Sequence, residues 1–130
     1  MARSSTSSEK PLRWVGSSKK DLLAFPGEVV DDFGYALSAV QHGVTPPSAK
    51  AWKGEGPGVF ELVEEHRGDA FRTVYTVRFE KAVYVLHCFQ KKSTTGIRTA
   101  QQDVRLIHER LRAAQIDYEV RYARKEKTKG

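Results

Sequence analysis

With 130 residues, 39% hydrophobic and 29% charged, the chain can build one compact domain and is too apolar for a disordered one. A formal charge of +6 favours a polyanionic partner, and no apolar run nears the ~20 residues of a membrane span. The single cysteine, Cys88, excludes an intrachain disulfide and a cysteine metal cluster, which suits a reducing, cytoplasmic setting.

Residues 1–10 are rich in Ser and Thr without periodicity and read as a flexible leader. A single domain is expected over residues 11–115, followed by a basic, flexible tail over 116–130. "PLRWV" predicts an edge strand entered through Pro11. In "GSSKKDLLAF", Ser18 and Asp21 have capping-box spacing ahead of a helix that buries Leu22 and Phe25. After Pro26, the residues Val30, Phe33, Leu37 and Val40 recur at intervals of three and four, which predicts an amphipathic helix closed by Gly43.

"VTPPSAKAWKGEGPG" is a loop by its Pro and Gly content. Within it, Lys50, Trp52 and Lys53 form either a lip that stacks bases and meets phosphates, or a Trp anchor to the core. "VFELVEEH", "AFRTVYTVRF" and "AVYVLHCFQ" predict three strands joined by connections short enough for an antiparallel meander. "TAQQDVRLIHERLRAAQ" predicts a closing helix, with Thr99 and Gln102 as capping pair and a stripe at Ala100, Val104, Ile107, Leu111 and Ala114.

Alternation in the middle strand puts Phe71, Thr73, Tyr75, Val77 and Phe79 on one side and Arg72, Val74, Thr76 and Arg78 on the other. If every helix covers the first side, Arg72 projects from an open face. Of the lysines that leave the next strand, Lys91 and Lys92, at most one shares that face. An arginine with a lysine nearby suits a phosphate and the charge that builds on a phosphorane; the competing account pairs Arg72 with Glu61 or Glu64 across the ladder.

Among the histidines, His42 ends a helix, His108 flanks the last helix's stripe and His87 sits in an apolar strand as a satisfied core residue. His66, in the turn before the Arg72 strand, is the one expected to face substrate. No histidine pair has metal-ligand spacing, and HExxH, Walker and GxSxG motifs are lacking, so neither a metal nor a nucleotide cofactor is expected.

The stretch "FELVEEHRGDAFRTVYTVRFEKAVYVLHCFQKKSTTGIRTAQQDVRLIHERL" resembles the RelE/ParE superfamily of bacterial toxins, in particular its HigB-like, phage-associated branch. "FRTVY" resembles the family's aromatic-Arg-x-x-Tyr strand and "LHCFQKKS" its F-x-K-K signature. The resemblance implies an α+β, RelE-like domain, with an N-terminal helix pair and a C-terminal helix packed on one face of a twisted antiparallel sheet. It implies the toxin of a type II toxin–antitoxin system, a metal-independent endoribonuclease that cuts mRNA on the ribosome by attack of a ribose 2′-hydroxyl on its own phosphate. Arg72 matches the phosphate-binding arginine, and Lys92, with Lys91 beside it, matches the basic position after the last strand.

In this reading the catalytic set is Arg72, Lys92, Lys91 and His66, His66 being the candidate base ahead of Tyr75 and Glu64. Arg67, Lys53, Arg78 and Arg98 are the expected RNA contacts. The expected partners are mRNA on the ribosome and a cognate antitoxin, a HigA-like helix-turn-helix protein. The family's lysines on the strand before the arginine are replaced here by Glu61 and Glu64, and its tyrosine near the last helix is missing from "TAQQDV". These departures leave two alternatives: a ParE-like, non-enzymatic inhibitor of DNA gyrase, and an RNA- or ribosome-binding protein without catalysis.

Overall fold

The computed structural model describes residues 9–91 and 100–123. Strand β1 (Leu12–Trp14) leads into helices α1 (Ser18–Leu23) and α2 (Gly27–Gln41), then β2 (Ala49–Ala51). The meander β3 (Val59–His66), β4 (Asp69–Thr76) and β5 (Val83–Lys91) follows, then helix α3 (Gln101–Tyr118), which runs into a π-helical turn over Glu119–Ala123. The strands form one sheet in the order β1-β5-β4-β3-β2, antiparallel except for β1 beside β5. Strand β1 takes the edge, as Pro11 predicts.

The β3–β4 connection is a two-residue turn in which Arg67 and Gly68 both take positive φ, 51° and 87°. That backbone twist matches the right-handed twist of the strands and sets their register. On one face of the sheet, Val29, Phe33, Leu37 and Val40 of α2 and Leu22 of α1 pack with Leu62, Phe71, Tyr75 and Val85. This is the stripe that the helical spacing predicts, now with its partner surface.

The opposite face is also covered, which corrects the expectation of all helices on one side. Helix α3 sets Ile107, Leu111 and Ala114 against Val59, Val74, Tyr84, Leu86 and Phe89 in a second, separate core. The physical reason lies in β5, which is apolar on both sides and needs both covered. A bulge reinforces this. Val74 pairs with His87 but Tyr75 pairs with Val85, so Leu86 is an extra residue, and both Leu86 and His87 lie on the α3 side.

Two local expectations change. Ser18 is fully buried between α1 and β5, so its hydroxyl donates to the Val85 carbonyl at 3.2 Å and forms no capping box. Ser17 is the residue whose hydroxyl reaches Asp21 Oδ2, at 2.7 Å. The ordered chain also passes residue 115: Tyr118 and Tyr122 pack on the second core, and Arg13 Nη2 donates to the Tyr122 hydroxyl at 2.9 Å. Residues 116–123 therefore belong with the domain, and Thr99 lies outside the described residues.

Helix α3 is clamped through Asp103 and Arg110. Asp103 Oδ1 is 2.8 Å from His87 Nε2, while Arg110 Nη1 donates to the Leu86 carbonyl at 3.0 Å and lies 3.3 Å from His87 Nδ1. A guanidinium only donates, so Nδ1 accepts and the imidazole proton sits on Nε2 toward Asp103. Gly16 makes room for the clamp: its φ is +57°, and a Cβ there would meet Arg110 Nε at 2.9 Å.

Candidate functional site

Strand alternation carries Arg72 onto the α3 face, together with Val74. Across the ladder, Arg72 lies opposite Val63 on one side and Phe89 on the other, while Glu61 lies opposite Val74. Glu61 and Arg72 are thus diagonal neighbours on one face, and Arg72 Nη1 donates to Glu61 Oε1 at 2.5 Å. The side chains are only 18% and 15% exposed, so the pair is largely sheltered from solvent screening. Of the two carboxylates that the sequence leaves open as partners, the register selects Glu61.

Arg72 Nε is buried and has no hydrogen-bond partner among the described residues. A buried donor left unmet costs about 1–3 kcal/mol. The guanidinium therefore spends Nη1 on Glu61, and among the described residues no acceptor meets its Nε.

Lys91 is opposite Ala70, two rows along from the Arg72–Phe89 row, and so shares the Arg72 face. Such a diagonal sets Cβ atoms about 7–8 Å apart, within reach of a long side chain. Lys91 is thus the lysine on the arginine's side; Lys92 and Arg98 lie outside the described residues. Exposed Arg67 stands at the β3–β4 tip, at the same end of the sheet.

His66 is not brought to Arg72. It follows Leu62 and Glu64 on the other face, where its Nδ1 lies 3.5 Å from Glu28 Oε1 of α2. Nearness in sequence suggested a shared site, but the period of two sends the side chains to opposite faces. His66→Gln is therefore expected to leave any RNA cleavage at the wild-type rate and to move stability by no more than about 0.5 kcal/mol, as read by cleavage assay and urea denaturation.

Glu64 shares that face, and its carboxyl titrates above the ordinary 4.5 because burial desolvates it and Asp32 adds like charge and a hydrogen bond. The folded state holds this proton more tightly than the unfolded chain does, so the contribution to stability is full below 4.5 and is lost as pH rises through the folded value. Glu64→Gln is expected to remove that slope from urea denaturation midpoints measured across a pH series.

Tyr75 is a core residue, 1% exposed, and burial pushes its phenol up to about 12, which removes it as a base. Cys88 is equally buried, and burial likewise pushes its thiol up to about 12. Both agree with their core placement in the strand pattern.

The remaining cations lie elsewhere. Arg78 donates Nε and Nη2 to the carbonyls of Pro57 and Glu55, at 3.1 Å and 2.5 Å. It packs against Gly58, whose φ is +86° and whose absent Cβ would stand 3.3 Å from the Arg78 Cα. The expected RNA contact is thus a loop clasp, since the glycine turn leaves carbonyls that need donors. Trp52 is buried in the second core and its amide donates to Val59, so it anchors the loop, with Lys53 exposed beside it. Lys53 and Arg78 border the Val59–Thr76 end of the meander, about 13 Å along β4 from Arg72.

The sequence reading offered Glu61 beside Glu64 as the partner of Arg72 without choosing between them, and it missed the His87–Asp103–Arg110 clamp. Among the described residues no group of three or more acidic, His or Cys side chains is arranged to hold a metal. No described helix is long and apolar enough to cross a membrane.

A helix pair on one side of this meander and a closing helix against it make a RelE-type toxin fold. The isolated E. coli RelE toxin aligns with a TM-score of 0.54 and 18% identity, over 66% of this chain and 88% of that one. A mutant of E. coli RelE in the free state aligns at 0.48 and 19%, over 62% and 81% of the two chains. The RelBE2 toxin–antitoxin complex of Mycobacterium tuberculosis aligns at 0.45 and 17%, over 65% and 94%. The chain belongs to the family described as Phage derived protein Gp49-like, whose model matches residues 20–112. No curated protein matches it in sequence.

Proposed function

We propose that this protein is the toxin of a type II toxin–antitoxin pair and arrests translation as a ribosome-dependent mRNA endonuclease of the HigB-like type. The observation that carries this reading is a sheltered arginine whose Nε has no partner among the described residues, with a lysine two rows away on the same face, within a RelE-type fold. In the reaction a ribose 2′-hydroxyl attacks its own phosphate, and the phosphorane gains negative charge. Arg72 counters that charge through directed N–H groups, and Lys91, followed in the chain by Lys92, neutralises the departing oxygen. The excess of cations favours the ribosome's RNA as the docking surface and an acidic segment of an antitoxin, a HigA-like helix-turn-helix protein, as the silencer.

Incubating the purified chain with translating ribosomes and mapping mRNA 5′ ends tests this. New 5′ ends within coding regions are expected; intact mRNA would reject the nuclease.

One observation favours a second reading. Helix α3 covers the face that carries Arg72, and Glu61 already offsets its charge, as suits a module that inhibits by docking. Gyrase-dependent DNA cleavage with mRNA intact would select that reading.

A further inference from the structure

We propose that the cleft between the edge strand β1 and the end of α3 binds a nucleotide, with the phosphate on Arg13 and Arg121 and the base beside Asp117. The sheet register builds this cleft. Arg13 pairs with Tyr84 of β5, and both side chains project to the α3 face. Strand β1 is three residues long and stands at the edge, so the space between it and α3 opens to solvent. The cavity there is about 460 Å³, within the span of small-molecule pockets, and Arg13, Val15, Tyr84, Ala113, Asp117 and Arg121 contribute to its lining. Tyr84 pairs with Thr76, four residues along β4 from Arg72, so this is a second site that does not depend on mRNA cleavage.

The hydrogen bonds around the cleft are only partly used up. Asp117 Oδ2 accepts from the Tyr84 hydroxyl at 2.7 Å and from Arg121 Nε at 2.8 Å. Arg13 donates Nε and Nη2 to the Tyr122 hydroxyl, at 3.3 Å and 2.9 Å. These bonds tie the end of α3 to the sheet. Among the described residues they leave Arg13 Nη1, both Nη groups of Arg121 and Asp117 Oδ1 without a hydrogen bond. Burial raises the Asp117 carboxyl, but the bonds from Tyr84 and Arg121 and the charges of Arg121 and Arg13 outweigh it and hold the group below its ordinary value. The carboxylate is thus an ionised acceptor set between two guanidiniums.

That combination selects the ligand. Guanidinium N–H groups with nothing to donate to suit phosphate oxygens. A bare phosphate would also meet the charge of Asp117. A ligand that carries N–H donors near its phosphate turns that repulsion into a contact, and the amino group of adenine, guanine or cytosine does so. Val15 and Ala113 offer apolar surface to the flat face of the base. A free nucleotide and an unstacked nucleotide of RNA share this chemistry.

Titration calorimetry of the purified full chain tests the site, with 5′-AMP, 5′-GMP, 5′-CMP, 5′-UMP, adenosine, inorganic phosphate and an RNA trinucleotide of adenylate as probes. AMP, GMP and CMP are expected to bind once per chain. UMP, which lacks the amino group, and adenosine and phosphate, which each lack half of the ligand, are expected to bind about tenfold more weakly. Arg121→Gln, at an exposed position, is expected to weaken AMP about tenfold. Ala113→Leu fills the cavity from an exposed helical position without a change of charge, and is expected to abolish binding with the circular dichroism spectrum unchanged. Lys50→Ala removes one cation from β2, the opposite edge of the sheet, and is expected to bind AMP like wild type. A trinucleotide that binds about tenfold more tightly than AMP, with the gain lost in Arg121→Gln, marks RNA as the source; equal affinity marks the free nucleotide. No binding of AMP, phosphate or UMP as tight as AMP, AMP binding that survives Ala113→Leu, or an equal loss with Lys50→Ala and Arg121→Gln would each overturn the proposal.

Discussion

Arg72→Ala is expected to reduce mRNA cleavage by a factor of about a hundred or more, the usual effect of deleting one preorganised donor to a developing oxyanion. The same change removes the counter-charge of Glu61, a carboxylate only 15% exposed. Breaking a buried pair from one side costs about 3–5 kcal/mol, and this partly exposed pair belongs near the lower end. Loss of fold therefore has to be separated from loss of chemistry. Arg72→Lys does this, because it keeps the charge near Glu61 but replaces a planar fork by a point donor. It is expected to recover most of the unfolding free energy, read by urea denaturation, and little of the cleavage rate. A double variant with Met at both positions removes the pair together; it should be close to wild type in stability and inactive. If Arg72→Ala folds and cuts mRNA like wild type, the guanidinium has no part in the reaction.

Ile107→Ala is expected to destabilise the domain by about 2–5 kcal/mol, from lost burial plus the cavity that remains. Ile107 is fully buried and sits in the second core with Leu111 and Ala114. Against a total stability of about 5–15 kcal/mol for a domain, that is a large fraction. The measurement discriminates between two placements of α3. A helix lying loosely on the surface would give a change within about 0.5 kcal/mol. A large loss, with the midpoint moved and the denaturant slope kept, fits a helix that completes a two-faced sheet.

Much of this architecture is legible in the residues. The meander follows from three strand-like runs with short connections, and β1 at the edge from its proline. The α2 stripe and the Ile107–Leu111–Ala114 stripe follow from helical spacing. Even the second layer left a trace, because β5 is apolar on both sides, which an open-faced sheet would not need. A stripe states that a helix buries one side, however, and not what it is buried against.

The site divides in the same way. Alternation alone separates Arg72 from Tyr75, and it limits the two lysines after β5 to one on the arginine's face. It does not choose Glu61 over Glu64 until the β3–β4 register is known, and that register depends on the tight turn at Arg67 and Gly68. The same register places His66 on the face away from Arg72, and Arg78 meets acceptors that lie 21 and 23 residues away along the chain.

What the sequence by itself determined is the set of elements and the parity of their faces, because backbone hydrogen bonding and side-chain periodicity act over a few residues. Only the tertiary structure decided that α3 covers the second face, that Glu61 takes Arg72 and that His87 and Arg110 clamp the helix. Those choices depend on groups far apart in the chain meeting at one place, where burial has to be matched by a partner for every charge.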